Sequence, residues 1–146
     1  MGRLQADPSG PCALAKGPLG SAKTGAESMK LITIAQRKQL LSNGHATERA
    51  LSAGSSIDLE PVVKLFTPDA NCTWLLTDLD PLDPDRAFGL CDAGQGCPEL
   101  GYVSLREIEA LRGATGLAVE RDLHFDAEHS LSGYADLARL HGRIVT

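Results

Sequence analysis

Between residues 69 and 99 the chain carries seven carboxylates, Asp69, Asp78, Asp80, Asp83, Asp85, Asp92 and Glu99, against a single base, Arg86. Acids at this density support two kinds of chemistry. Converging carboxylates hold hard cations such as Mg²⁺ or Ca²⁺, which prefer oxygen ligands; Asp78, Asp80, Asp92 and Glu99 are the candidates for such a metal site, the basis for a metal-dependent enzyme acting on nucleic acid or nucleotides. Alternatively, Asp78, Asp80, Asp83, Asp85 and Asp92 present a negative surface to a basic protein partner. A plainer reading stands beside both, since Asp is favoured in turns and an Asp-Pro loop needs no further cause. The spacing does not match a calcium loop, which wants alternating oxygen ligands, a central Gly and a terminal Glu.

Other reactive side chains form weaker patterns. Cys72, Cys91 and Cys97, with His124 or His129, could assemble a zinc site, but Cys91 and Cys97 lack the short spacing of a zinc knuckle, so packed thiols are expected. His124 beside Asp122 and Asp126 suggests acid–base work, against which stands an ordinary ion-pair row on a solvated strand. Trp74, Tyr102, Phe66 and Phe88 could make a recognition surface; with aromatics at 4% of residues, filling the core is their default role. The glycines of Gly94-Gln95-Gly96 precede Cys-Pro rather than a helix, so they make a turn and not a phosphate loop.

The elements that must position these groups read as follows. Residues 1–28 are rich in Gly, Ala, Ser and Pro and are expected to be a disordered tail, leaving one domain over 29–146. A helix is expected over 33–43, with Thr33 and Gln36 as a capping box, Ile34, Leu40 and Leu41 as its apolar stripe, and Gly44 as a left-handed C-cap. Residues 45–60 read as a partly helical connector broken at Gly54. Strands are expected over 61–67, 72–79, 86–91 and 99–103, with residues 80–85 as a Pro/Asp loop outside any strand. Ser104 and Glu107 signal a second capped helix, with Leu105, Ile108 and Leu111 on its apolar face. The alternation of 117–125 suggests a fifth strand. Leu131, Tyr134, Leu137 and Leu140 mark a last helix over 130–140, ended by Gly142. Short links between strands imply an antiparallel sheet, and the whole reads as α+β: four to five strands with three helices covering one face.

Composition narrows the function classes. The 146 residues fit one domain, and 42% hydrophobic with 23% charged content is ordinary for a globular protein. A net charge of −5 argues against direct binding to nucleic acid backbones. No apolar run approaches the roughly 20 residues that span a bilayer, and no secretory leader is visible, so no membrane contact and a cytoplasmic setting are expected. No cofactor motif is present.

The segments LITIAQRKQLL, KLFTPDANCTWLLTDLDPLDPDRAFGLCDAG, PELGYVSLREIE and ERDLHF, in that order, resemble the bacterial family called "domain of unknown function 2958", over about residues 29–144. That family consists of small proteins often encoded on plasmids, integrative elements and phages. The resemblance therefore implies a mobile-DNA setting and carries over no catalytic residue; Cys97 departs from the family pattern. Together these readings favour a non-enzymatic accessory or regulatory factor that contacts a protein partner through its acids.

Overall fold

The computed structural model describes residues 31–146; the expected disordered tail lies outside the described residues. The order is α1 (Ile34–Ser52), β1 (Val63–Phe66), β2 (Thr73–Asp80), β3 (Asp83–Asp92), β4 (Glu99–Ser104), α2 (Leu105–Ala110), β5 (Glu120–Arg121) and α3 (Leu131–His141). The strands form one antiparallel sheet in the order β4-β3-β2-β1-β5. The α+β expectation of a five-stranded sheet with three helices holds.

The helices do not share one face. Leu40 of α1 and Leu105 and Ile108 of α2 pack with Leu65, Trp74, Leu76, Leu79 and Val103 on one side. On the other, Leu131, Tyr134, Ala135 and Ala138 of α3 pack with Leu75, Phe88 and Leu90. The near-continuous apolar runs of β2 and β3 follow from this, since strands covered on both faces do not alternate. Trp74 and Phe88 are core residues, on opposite faces. The C-terminal apolar face also shifts: Leu131, Tyr134, Ala135 and Ala138 are buried, whereas Leu140 is exposed. Gly142 ends α3 in the left-handed region as expected (φ 74°).

The first helix departs most from expectation. Thr33 and Gln36 do form the capping box, but α1 runs through Gly44 to Ser52, and Ile34 is 76% exposed. Its buried stripe is Leu40, Gly44 and Thr47. Gly44 is no cap: a Cβ there would lie 1.9 Å from the Leu79 carbonyl oxygen and 3.3 Å from Pro81 Cδ. The glycine is needed because helix and strand backbones touch. That contact exists because β1 pairs with β2 only as far as Leu76, whose carbonyl accepts from the Val62 N–H (2.8 Å). Beyond it the edge of β2 is bare, and α1 covers it. Asn43 Nδ2 donates to the Thr77 carbonyl (2.9 Å), the first one that β1 does not reach. Covering an exposed strand edge with a helix is a common solution to unpaired backbone groups.

At the same point the β2–β3 register slips: Leu76 pairs with Gly89, and the next pair is Asp78 with Phe88, so Thr77 is an extra residue. A bulge of this kind reverses which face the following side chains meet. Leu79 thereby joins the α1 face, and Asp78 shares a register position with Phe88 of the α3 face. A second irregularity lies between Leu79 and Asp80.

The expected 80–85 loop is instead a hairpin tip of only Pro81 and Leu82. Asp80 pairs with Asp83, and Asp83-Pro84-Asp85 belongs to β3. Pro84 is tolerated because it falls where the ladder is interrupted and no backbone donor is required. Ser104 caps α2 by accepting from the Glu107 N–H (3.2 Å), and Leu111 lies at the C-cap rather than on the helix face. The fifth strand is two residues, because β1 offers only a short edge and Asp122 turns the chain by accepting from the His124 N–H (2.9 Å).

Gly44→Ala should destabilise the protein by about 3 kcal/mol in urea unfolding, since the clash is with backbone that cannot move aside. Ala at an ordinary solvent-facing helix position would be neutral or stabilising.

Candidate functional site

The structure disperses the acidic set. Asp80 and Asp83 sit at the hairpin tip, and their carboxylates stabilise the turn itself: Asp80 Oδ1 accepts from the Leu82 N–H (2.9 Å) and Asp83 Oδ1 from the Asp85 N–H (3.4 Å). Asp85 stands one step inward and holds the start of α2, accepting from Ser104 Oγ (2.5 Å) and the Arg106 N–H (2.8 Å), with the Arg106 guanidinium at 4.0 Å. Asp78 is buried in the α3 face, where Thr77 Oγ1 donates to its Oδ1 (2.6 Å) with the Phe88 carbonyl 3.3 Å away. Asp92 lies opposite Thr73 at the other end of the hairpin, roughly 20 Å from the tip by strand rise.

Asp92 is therefore not part of a surface patch. It is 4% exposed and accepts from two backbone donors, Gly94 N (2.8 Å) and Ile144 N (2.9 Å). It fastens the chain end to the sheet. The metal grouping also comes apart: Asp92 and Glu99 are near one another along the sheet, but Glu99 pairs with Cys91, whose side chain belongs to the opposite face. Asp78 and Asp80 lie toward the tip. Among the described residues no three His, Cys, Asp or Glu side chains converge to hold a metal ion. The zinc alternative fails with it, as Cys91 is buried, Cys72 half-buried and Cys97 exposed. Burial raises the Cys72 thiol, aided by the Asp92 charge, and the Thr67 hydroxyl only partly offsets this. A thiol held protonated is a poor nucleophile.

The remaining candidates also find structural roles. Asp69 closes the 113–117 turn, accepting from the Thr115 N–H (2.6 Å) and hydroxyl (2.5 Å), which hold its carboxyl below the usual range. Asp122 is 3.6 Å from Lys64 Nζ of β1, rather than in an exposed row of charges along its own segment, and His124 is exposed. Tyr102 packs edge-on to Phe88 (4.9 Å between ring centroids), and Arg86, the one base among the acids, lies 4.0 Å over the Tyr102 ring.

Among the described residues a polar cleft, an apolar hollow and the projecting hairpin tip remain. A polar cleft of about 490 Å³ opens at the β2 N-terminal end between Lys64, Asn71, Asp122 and Arg143, with Cys72 and Asp92 in its wall. A second hollow of about 290 Å³, mostly apolar, lies where α1, residues 56–59, the bulged β2 and α3 meet. No sequence pattern pointed to it, because it depends on the bulge and on the extended α1. Asp58, at its margin, is committed to α3: burial pushes its carboxyl up, but hydrogen bonds from Ser132 and Ser130 outweigh that and hold it below the usual range. The projection is the tip, where Leu82 is 87% exposed between Asp80 and Asp83.

The architecture is that of an α+β protein whose antiparallel sheet is clad on both faces. The chain belongs to the family described as "Protein of unknown function (DUF2958)", whose model matches residues 31–145. No curated protein and no solved structure matches the chain. No helix among the described residues is long and apolar enough to cross a membrane.

Asp92→Ala should free residues 142–146: amide exchange at Ile144 accelerates, and stability falls by about 2 kcal/mol, the scale of hydrogen bonds to a charged acceptor. Unchanged exchange at Ile144 would show that the carboxylate does not secure the chain end.

Proposed function

We propose that the protein is a non-enzymatic accessory factor of a mobile genetic element that docks a basic surface of a protein partner through its β2–β3 tip. The observation that supports this reading most is the tip itself. Leu82 projects with almost its whole side chain in water, and the flanking Asp80 and Asp83 make no ion pair with any described residue. An exposed apolar side chain between two carboxylates is useful at an interface, where the apolar group anchors and the charges steer the encounter. Of the five acids in the expected contact set, Asp80 and Asp83 fit this role. Asp78 and Asp92 are enclosed by the fold, and Asp85 is occupied at α2. The mobile-DNA setting is supported by the family resemblance, and its partner there is a protein, because the net charge of −5 opposes direct contact with DNA.

The test places a photo-crosslinking residue at Leu82 in a bacterium that carries the gene. A discrete adduct to a basic protein is expected, reduced at least tenfold by combining Asp80→Asn with Asp83→Asn, which keep the turn acceptors and remove the charges. The same crosslinker at Ile34, exposed at the N-terminal end of α1, should give no such adduct. An adduct unaffected by the charge removal, or the same adduct from Ile34, would refute docking through the tip.

A further inference from the structure

The polar cleft of about 490 Å³ at the β2 N-terminal end holds hydrogen-bond donors that the fold does not use. Its floor follows from the strand register. Helix α3 packs on Leu75, Phe88 and Leu90. One step further along the strands, Phe66, Thr73 and Asp92 stand opposite one another on β1, β2 and β3, and all three line the cleft. Lys64, two residues before Phe66, shares their face of the sheet. Past the end of α3 the chain continues as Arg143 and Ile144, which form a wall.

The two carboxylates of the cleft are taken. Asp92 accepts from the Gly94 and Ile144 N–H groups, and Asp122 accepts from the His124 N–H with its other oxygen toward Lys64. The cations are not. The Lys64 side chain is only 20% exposed, yet its ammonium makes one hydrogen bond, to Thr146 Oγ1 (2.8 Å), and Asp122 at 3.6 Å is too distant for another. An ammonium carries three donors, and enclosed lysines are ordinarily paired. The Arg143 guanidinium makes no hydrogen bond or ion pair with any described residue. Two cations with unused donors on one cleft favour an anion, and a guanidinium beside an ammonium suits phosphate.

Phe66 adds an aromatic surface. It is half-buried, belongs to neither apolar core, and stacks on no other described ring. A half-exposed aromatic face of this kind is what nucleobases stack on. Asn71, at the rim, keeps its amide donors and its acceptor, the groups that read the edge of a base. The volume lies within the range of small-molecule sites and exceeds what a lone phosphate or a single ring would fill.

We propose that this cleft is a binding site for a nucleoside monophosphate, its phosphate held by Lys64 and Arg143 and its base against Phe66, with Asn71 at the base edge. The site lies at the opposite end of the hairpin from the tip and does not depend on the docking role.

Amide NMR of the full chain titrated with adenosine monophosphate tests this, with adenosine and inorganic phosphate as further arms. Saturable shifts are expected at Thr73, Gly96 and Ile144 and not at Leu82. Adenosine and phosphate should each bind about tenfold more weakly than the joined molecule. Arg143→Gln, at an exposed side chain that no contact of the fold uses, should weaken the nucleotide about tenfold, the scale of a charge-assisted hydrogen bond, and leave adenosine unchanged. Phe66→Leu should weaken nucleotide and adenosine alike, about fivefold, by removing the stacking face. No saturable shift with the nucleotide, adenosine or phosphate binding as tightly as the nucleotide, or nucleotide affinity unchanged by Arg143→Gln would each overturn the assignment.

Discussion

The arrangement depends on how one bare strand edge is closed. Because β1 ends its pairing at Leu76, the last part of β2 has no neighbour on that side, and α1 supplies one. The contact has two parts: an amide donor, Asn43, on the carbonyl that β1 leaves unpaired, and a glycine that lets the helix lie against the Leu79 backbone. An unpaired buried carbonyl is disfavoured by about 1–3 kcal/mol, so the helix is not free to leave. From there α1 continues past the sheet edge, which is how Leu40 serves one face while Thr47 and Leu51 border a hollow on the other.

The bulge at Thr77 follows from the same locality and divides the acids into different jobs. Without it, Asp78 would keep the parity of Trp74 and Leu76 and meet the α1 face; with it, Leu79 takes that face and Asp78 meets Phe88. A carboxylate that looked like part of a surface patch becomes a buried acceptor. At the far end of the hairpin Asp92 does the same, using both oxygens on backbone donors. At the tip, by contrast, Asp83 is turned to solvent and Asp80 is half-buried.

Much of the framework was legible in the residues. Thr33 with Gln36, Ser104 and Gly142 marked helix ends because caps are local chemistry that tertiary contacts did not override. The central strands were visible in their apolar runs. What was not legible came from long-range pairing. Gly44 carries the signature of a helix end, and only the approach of Leu79 shows why it stands in a helix interior. The Asp-Pro stretch reads as a loop, yet the strands pair up to a two-residue tip, with Pro84 in the irregular part of the ladder. The apolar hollow was invisible for the same reason: a one-residue slip in register leaves no trace in composition or spacing, although the period-breaking Leu-Thr-Asp-Leu run in β2 was the one available hint.

The direct test of the edge-closing contact is amide exchange on Asn43→Leu, which removes the donor and substitutes a similarly sized side chain of higher helix propensity. Faster exchange along α1 from Leu40 to Leu51, with the β2–β3 hairpin still protected, is the predicted result. Exchange of α1 at the rate of the unsubstituted protein would contradict the account, because the helix would then be held by something other than the strand edge it covers.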